Sequence, residues 1–148
     1  ALISFDPNLR EPLWDSLDNA KEQVRWGLGK CDVLKISDNE VEFLFDTTDY
    51  DKGAALIEEK YHIPLVLITM GKDGSRVLTN NEDVKVEAMK VNAIDTTGAG
   101  DTYIGYFVKG ILEGFSLVES ANLATKASAI AVTRFGAVDS IPSYDEVK

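Results

Sequence analysis

The chain is poor in the residues that build metal centres and covalent catalysts: among 148 residues there is one cysteine, Cys31, and one histidine, His62. A single cysteine excludes an intramolecular disulfide and a cysteine-rich zinc site, and it fits a reducing, cytoplasmic setting. Cys31 itself reads as a small buried hydrophobe, and the lone His62, close to Pro64, as a structural residue. Positive charge is also scarce. Fifteen Lys and Arg stand against 25 Asp and Glu, for a net charge of −10, which argues against nucleic acid or an anionic membrane as the main partner. Any anion site must then be local and built largely from backbone amides. Apolar runs of transmembrane length are missing, as are a basic-then-apolar leader, repeats, low-complexity segments and an internal linker, so no export signal is expected in this stretch.

What remains is ordinary globular composition, 45% hydrophobic and 27% charged, in a chain long enough for one domain with a real core. Leu2-Ile3-Ser4-Phe5 reads as a strand that opens abruptly, as though cut from something longer. Leu17, Ala20, Val24 and Leu28 mark a helix closed by Gly29, Val33-Leu34-Lys35-Ile36 a short strand, and Val41, Phe43 and Leu44 the next helix. Ala54, Ile57 and Tyr61 mark another helix. Leu65-Val66-Leu67-Ile68 is a continuous apolar run of the kind buried on both faces of a parallel sheet. Ser75 to Thr79 and Val84 to Ala88 are strands bracketed by turn-forming clusters, a β-meander. A helix follows from Gly98 to near Gly114. Ser116-Leu117-Val118-Glu119 is a capping box opening a last helix rich in alanine, which implies either close helix packing or room for a flat ligand. The sum is a layered α/β domain with a mainly parallel sheet and helices on its faces.

One run carries chemistry: Asp95-Thr96-Thr97-Gly98-Ala99-Gly100-Asp101. Ile104, Phe107, Val108, Ile111 and Leu112 follow at helical spacing, which puts Gly98 to Asp101 on a helix N-terminus. The first amides of a helix lack intrahelical partners and carry the positive end of its dipole, so they hold a phosphate oxygen without help from a side chain. No Lys follows as in a Walker loop, and the third glycine of a dinucleotide fingerprint is missing. A carboxylate inside an anion cradle repels the anion, but it suits a base that removes a proton from a hydroxyl nucleophile. The plainer alternative is that Asp95 or Thr97 caps the helix and the glycines form a turn. Upstream, Asp6, Asn8 and Arg10 leave the C-terminal end of a strand, where α/β sheets place ligands. Arg10 there either steadies a phosphoryl group or pairs with Glu11 or Asp15. The acidic group Asp46, Asp49 and Asp51 reads as a solvated loop.

With the Asp-Thr-Thr-Gly-Ala-Gly-Asp run so placed, the whole chain resembles the C-terminal half of the PfkB, or ribokinase-like, carbohydrate kinases. Thr69-Met70-Gly71-Lys72-Asp73-Gly74 and Arg134-Phe135-Gly136-Ala137 share in the resemblance, and Phe5-Asp6-Pro7-Asn8-Leu9-Arg10-Glu11-Pro12-Leu13-Trp14 looks like the fructokinase branch. The resemblance implies an incomplete ribokinase-like α/β fold, in which residues 1–148 are the nucleotide-binding and catalytic part and the N-terminal sugar-binding and lid part is absent. It implies that Asp101 is the catalytic base, that the amides of Gly98, Ala99 and Gly100 form the anion hole, and that Asn8, Arg10 and Asp101 meet the sugar. Thr69, Gly71 and Gly74 would lie near the ATP phosphates, and Asn122, Thr125 and Ser128 along the adenine. Glu40, in Ser37-Asp38-Asn39-Glu40 with Ser where the family has Asn, would order a water on Mg²⁺, although Ser37 and Glu40 also match a capping box. Asp95, Thr97, Ala131, Arg134, Gly136 and Ser140 would hold a monovalent cation such as K⁺, mostly through carbonyl oxygens.

The activity so implied is ATP-dependent phosphorylation of a sugar hydroxyl, with fructose as acceptor and sugar and ATP as partners. Competing readings are a kinase for 2-keto-3-deoxygluconate, ribose or a nucleoside, and a non-catalytic binding protein of the same fold. A sheet cut midway leaves an unpaired edge, so a homo-oligomer is expected, and the fragment alone is expected to be inactive.

Overall fold

The computed structural model describes residues 1–148. Five strands, β1 (Ser4–Phe5), β2 (Val33–Ser37), β3 (Leu65–Thr69), β4 (Ser75–Thr79) and β5 (Asp83–Val86), form one sheet in the order β1-β2-β3-β4-β5. The helices are α1 (Leu17–Leu28), α2 (Asp38–Phe45), α3 (Tyr50–Tyr61), α4 (Ala99–Leu112), α5 (Leu117–Ala131) and a single turn, α6 (Tyr144–Val147). The chain divides into two compact units, Ala1–Met70 with Val77–Asp83, and Gly71–Arg76 with Val84–Lys148. No helix is long and apolar enough to cross a membrane.

In the first unit β1 and β2 pair in parallel, Ser4 with Val33 and Phe5 with Leu34, and β2 and β3 pair in parallel from Val33–Leu65 to Ser37–Thr69. The three central residues of both β2 and β3 are buried. Their lack of alternation follows from cover on both faces, as a parallel sheet requires. Leu28, Leu34, Ile36, Val41, Leu44, Ile57 and Ile68 make the core, and Cys31 joins them, its thiol pushed up by burial. The expected strand from Leu2 is shorter than its apolar run, because the Ile3 amide donates to the Asp32 carboxylate at 2.8 Å and not to a strand. Short polar side chains then cap the starts of α1, α2 and α3. Ser16 caps α1, Asp49 caps α3, and His62 ends α3 in the left-handed region. Of the acidic group, Asp49 thus has a capping task, while Asp46 ends α2 and pairs with Lys21 at 3.1 Å.

The second unit is organised by α4 and α5. Ala121, Ala124, Ala127 and Ala131 are almost completely buried, so the alanine stripe serves close packing. At Gly110 of α4 a Cβ would lie 3.0 Å from the Ser120 Cα, which shows how nearly the two backbones touch. Phe107 is fully buried, and Tyr103 stacks on it while donating to the Ser75 hydroxyl at 2.8 Å. The strand expected to reach Ala88 ends at Val86, where the Val86 carbonyl passes over Gly74 and the chain leaves the sheet.

One turn was not anticipated from apolar spacing. α6 is too short to show periodicity, yet Ser143 and Glu146 form a full capping box, Val147 is buried, and Arg134 pairs with Glu146 at 2.5 Å. Arg134, and then the Ser143 amide and hydroxyl, hold the Glu146 carboxyl down to about 2 from its ordinary 4.5. The docking of α6 therefore draws on this carboxylate fully above pH 4.5 and loses it as pH falls toward 2. We expect the Val147 methyl resonances to shift across that window, and to lose that dependence in Glu146→Gln.

Candidate functional site

The head of α4 is built by two glycines and one aspartate. Gly98 is the N-cap at φ +75°, with no side-chain cap on the helix. A Cβ there would sit 3.4 Å from the Ala137 carbonyl oxygen in a backbone region that L-residues disfavour. Neither Asp95 nor Thr97 caps the helix, so that part of the plainer reading fails, while Gly98 does form a turn, closed by the Ala99 amide on the Thr96 carbonyl. Ala99, Gly100 and Asp101 then occupy the first three helical positions, whose amides have no intrahelical acceptor. Of these, the Ala99 amide is already engaged, donating to the Thr96 carbonyl at 3.2 Å. The amides left without a backbone acceptor are therefore Gly98, Gly100 and Asp101, which differ from the expected Gly98, Ala99 and Gly100 only in having Asp101 in place of Ala99. The Asp101 carboxylate is exposed and takes part in no hydrogen bond or ion pair.

Asp95 has a different task. Its Oδ1 accepts from the Thr97 amide at 2.9 Å and its Oδ2 from the Gly136 amide at 3.0 Å. The Thr97 hydroxyl, and then those two amides, hold its carboxyl below the usual carboxylate range. The Val132 carbonyl accepts from Ile94 at 2.7 Å and from Asp95 at 3.2 Å, so the segment entering α4 is stitched to the segment leaving α5. Ser128 adds a third tie, donating to the Ala99 carbonyl at 2.9 Å. Asp95, Thr97, Gly136 and Ser128 thus converge on the α4 head. Ser140, fully buried, bonds the Ala137 carbonyl, while the Ala131 carbonyl accepts from the Arg134 amide. Nowhere do three or more His, Cys, Asp or Glu gather as metal ligands, so any cation here would rest mainly on carbonyl oxygens. Asn122 is exposed and bonds its own helix at the Val118 carbonyl, and Thr125 is half-buried on α5.

The glycine loop after β3 has two kinds of glycine. Gly71 lies at φ +51° with open space around its Cα, while Gly74, at φ +92°, is pressed against the chain so closely that a Cβ would fall 2.1 Å from the Val86 carbonyl oxygen. Thr69 is the half-buried last residue of β3.

In the first unit Asn8, Arg10 and Glu40 are drawn together by the backbone. Glu40 is buried, its Oε1 accepting from the Leu9 amide at 2.8 Å and its Oε2 from the Ser37 amide and hydroxyl at 2.8 and 2.9 Å. The capping box is therefore real. Three hydrogen bonds leave the carboxylate about one further acceptor position. Asn8 adopts φ +44°, a region asparagine tolerates better than most residues. The exposed Arg10 bonds the Leu9 carbonyl at 3.1 Å and pairs with neither Glu11 nor Asp15. Sequence reasoning missed Lys35, a buried ammonium in β2 that pairs with Asp6 at 3.3 Å. Its signal was a lone charge inside an apolar strand.

A profile of the pfkB family carbohydrate kinases matches residues 1–144. A protein named Probable fructokinase-2 from Arabidopsis thaliana is 37% identical over 150 residues, covering 97% of this chain and 46% of the relative. Among solved structures, a doubly substituted fructokinase from Vibrio cholerae O395, bound to fructose, ADP and potassium ion, superposes with a TM-score of 0.88 at 30% identity over 99% of this chain and 49% of its own. A ribokinase from Thermotoga maritima superposes with a TM-score of 0.76, also at 30% identity, over 99% and 47%. The chain thus spans about half the length of these relatives. With a family match over residues 1–144 and a fold shared with about half of a solved fructokinase, this chain belongs to the pfkB family of carbohydrate kinases.

Proposed function

We propose that the chain is the phosphate-handling and catalytic part of an ATP-dependent sugar kinase whose acceptor is fructose. The observation that carries this reading is the α4 head, where the amides of Gly98, Gly100 and Asp101 have no backbone acceptor and the Asp101 carboxylate is exposed and unpaired. In the proposed step the acceptor oxygen forms a bond to the γ-phosphorus as the bond to the β-phosphate oxygen breaks. The acceptor proton passes to Asp101, ADP leaves, and the three amides take up the charge on the transferring group. The Asp95 bracket to Thr97 and Gly136 keeps those amides aimed before substrate arrives, which is where such stabilisation gains its strength.

Mg²⁺, when bound, would neutralise phosphate charge, and the remaining acceptor position of Glu40 suits a hydrogen bond from a water on that ion. The carbonyl-rich loop of Ala131, Arg134, Gly136 and Ser140 beside Asp95 suits K⁺ better than a divalent ion, since no carboxylate cage is present. Arg10, held by no acidic neighbour, is available to an anionic group, and Asn8 to a hydroxyl. The fructose assignment follows from the relatives and from the Phe5–Trp14 segment. The experiment is an ADP-release assay on the full-length protein with fructose, ribose, 2-keto-3-deoxygluconate and a nucleoside. We expect fructose to give the highest kcat/KM. A higher value for another acceptor overturns the substrate assignment, and no transfer to any overturns the kinase reading.

A further inference from the structure

Lys35 is the middle residue of β2, a strand whose three central residues are all buried. An ammonium in that position loses most of its hydration, and its attraction to a partner repays the loss only when the geometry is good. A Met or Leu in the same space would keep the packing without that loss. A buried ion pair is thus weak evidence for stability, and its use is better sought in what it positions. What it touches is Asp6, with Nζ 3.3 Å from Oδ2 and 3.4 Å from Oδ1. β1 pairs Ser4 with Val33 and Phe5 with Leu34, so one further step in the same register sets Asp6 beside Lys35, just where β1 ends and the loop begins.

A second tie fixes the same loop three residues later, where the Leu9 amide donates to Glu40 at 2.8 Å. Between the two ties lie Pro7 and the left-handed Asn8, and directly after them Arg10. We propose that Lys35 is a positioning residue: through Asp6, and together with Glu40 through Leu9, it sets the conformation from which Asn8 and Arg10 meet the acceptor and its incoming phosphoryl group. The proposal rests on the kinase reading for its functional consequence, while the loop-holding itself does not depend on it.

Two measurements on the full-length protein separate those parts. Hydrogen exchange at the Leu9 amide, in the absence of substrate, reads the loop alone. In Lys35→Met we expect it to speed up by at least about tenfold, while amides in the centre of β3 stay protected. In steady-state assays the same variant raises KM for the acceptor at least about tenfold and leaves KM for ATP within about twofold, with Asp6→Asn giving the same split. The Lys35→Met, Asp6→Asn double variant is no worse than Asp6→Asn alone, because Lys35 acts through Asp6. Lys35→Arg, which keeps the charge, recovers part of the acceptor KM and covers the case in which the methionine variant fails to fold. Unchanged Leu9 exchange and unchanged acceptor KM overturn the proposal, as do fully additive effects. Faster Leu9 exchange in a protein that transfers phosphate to no acceptor leaves the loop-holding standing and overturns the kinase reading.

Discussion

Asp101→Asn in the full-length protein is expected to lower the kcat of the proposed transfer by about a hundred- to ten-thousandfold, the range of a lost general base, while KM for ATP changes by less than about threefold. Asparagine keeps the size of the side chain and leaves the backbone amides of Gly98, Gly100 and Asp101 in place, so the proposed anion site survives. What it cannot do is accept the acceptor's proton. The free position of the carboxylate sharpens the expectation, since no partner in the resting protein is broken by the change. Loss of one anion-hole donor would act on the same barrier by about 3 kcal/mol, but through charge rather than proton transfer. A pH profile distinguishes the two: the acidic limb of kcat/KM belongs to the base and disappears with it. Retained turnover in Asp101→Asn would remove the residue from the mechanism.

The second large effect is on folding. Gly74→Ala is expected to destabilise the protein by about 3 kcal/mol, because a residue forced into a left-handed conformation costs about 1–3 kcal/mol and overpacking adds a similar amount. The Cβ would meet the Val86 carbonyl oxygen at 2.1 Å and the Ala88 nitrogen at 3.0 Å, both backbone atoms that cannot swing aside. Gly71→Ala is the internal control. It shares the positive φ but meets nothing within 4 Å, so only the conformational part remains, about 1–2 kcal/mol. Thermal unfolding should fall by on the order of 10 °C for Gly74→Ala and by about one to two thirds of that for Gly71→Ala. Equal shifts would mean that strain, and not the close approach of the chain after β5, dictates glycine at residue 74.

Much of this architecture is legible in local chemistry. The α1 helix is marked by Leu17, Ala20, Val24 and Leu28 and closed by Gly29. The Ser116–Glu119 box starts α5, and the unbroken apolar run of β3 declares a strand covered on both faces. These features depend on neighbours along the chain, which the sequence displays. The rest depends on partners far away in it. The pairing of Lys35 with Asp6, 29 residues apart, needs the parallel register of β1 and β2. The bracket from Asp95 to Gly136 spans 41 residues. Engagement of the Ala99 amide by Thr96 is local, yet it turns on the positive φ of Gly98, which spacing alone does not reveal. Glu40 shows why two readings of one motif need not compete: its capping box is formed, and the same carboxylate reaches Leu9 in the loop that carries Arg10.

Phosphate binding by the amides at the head of α4 is tested most directly by a crystal structure of the full-length protein with a non-hydrolysable ATP analogue and fructose. Phosphate oxygens are expected within hydrogen-bond reach of the Gly98, Gly100 and Asp101 amides, and a fructose hydroxyl on the Asp101 carboxylate. Phosphates bound elsewhere, with those amides still facing solvent and Asp101 remote from the sugar, would contradict this expectation.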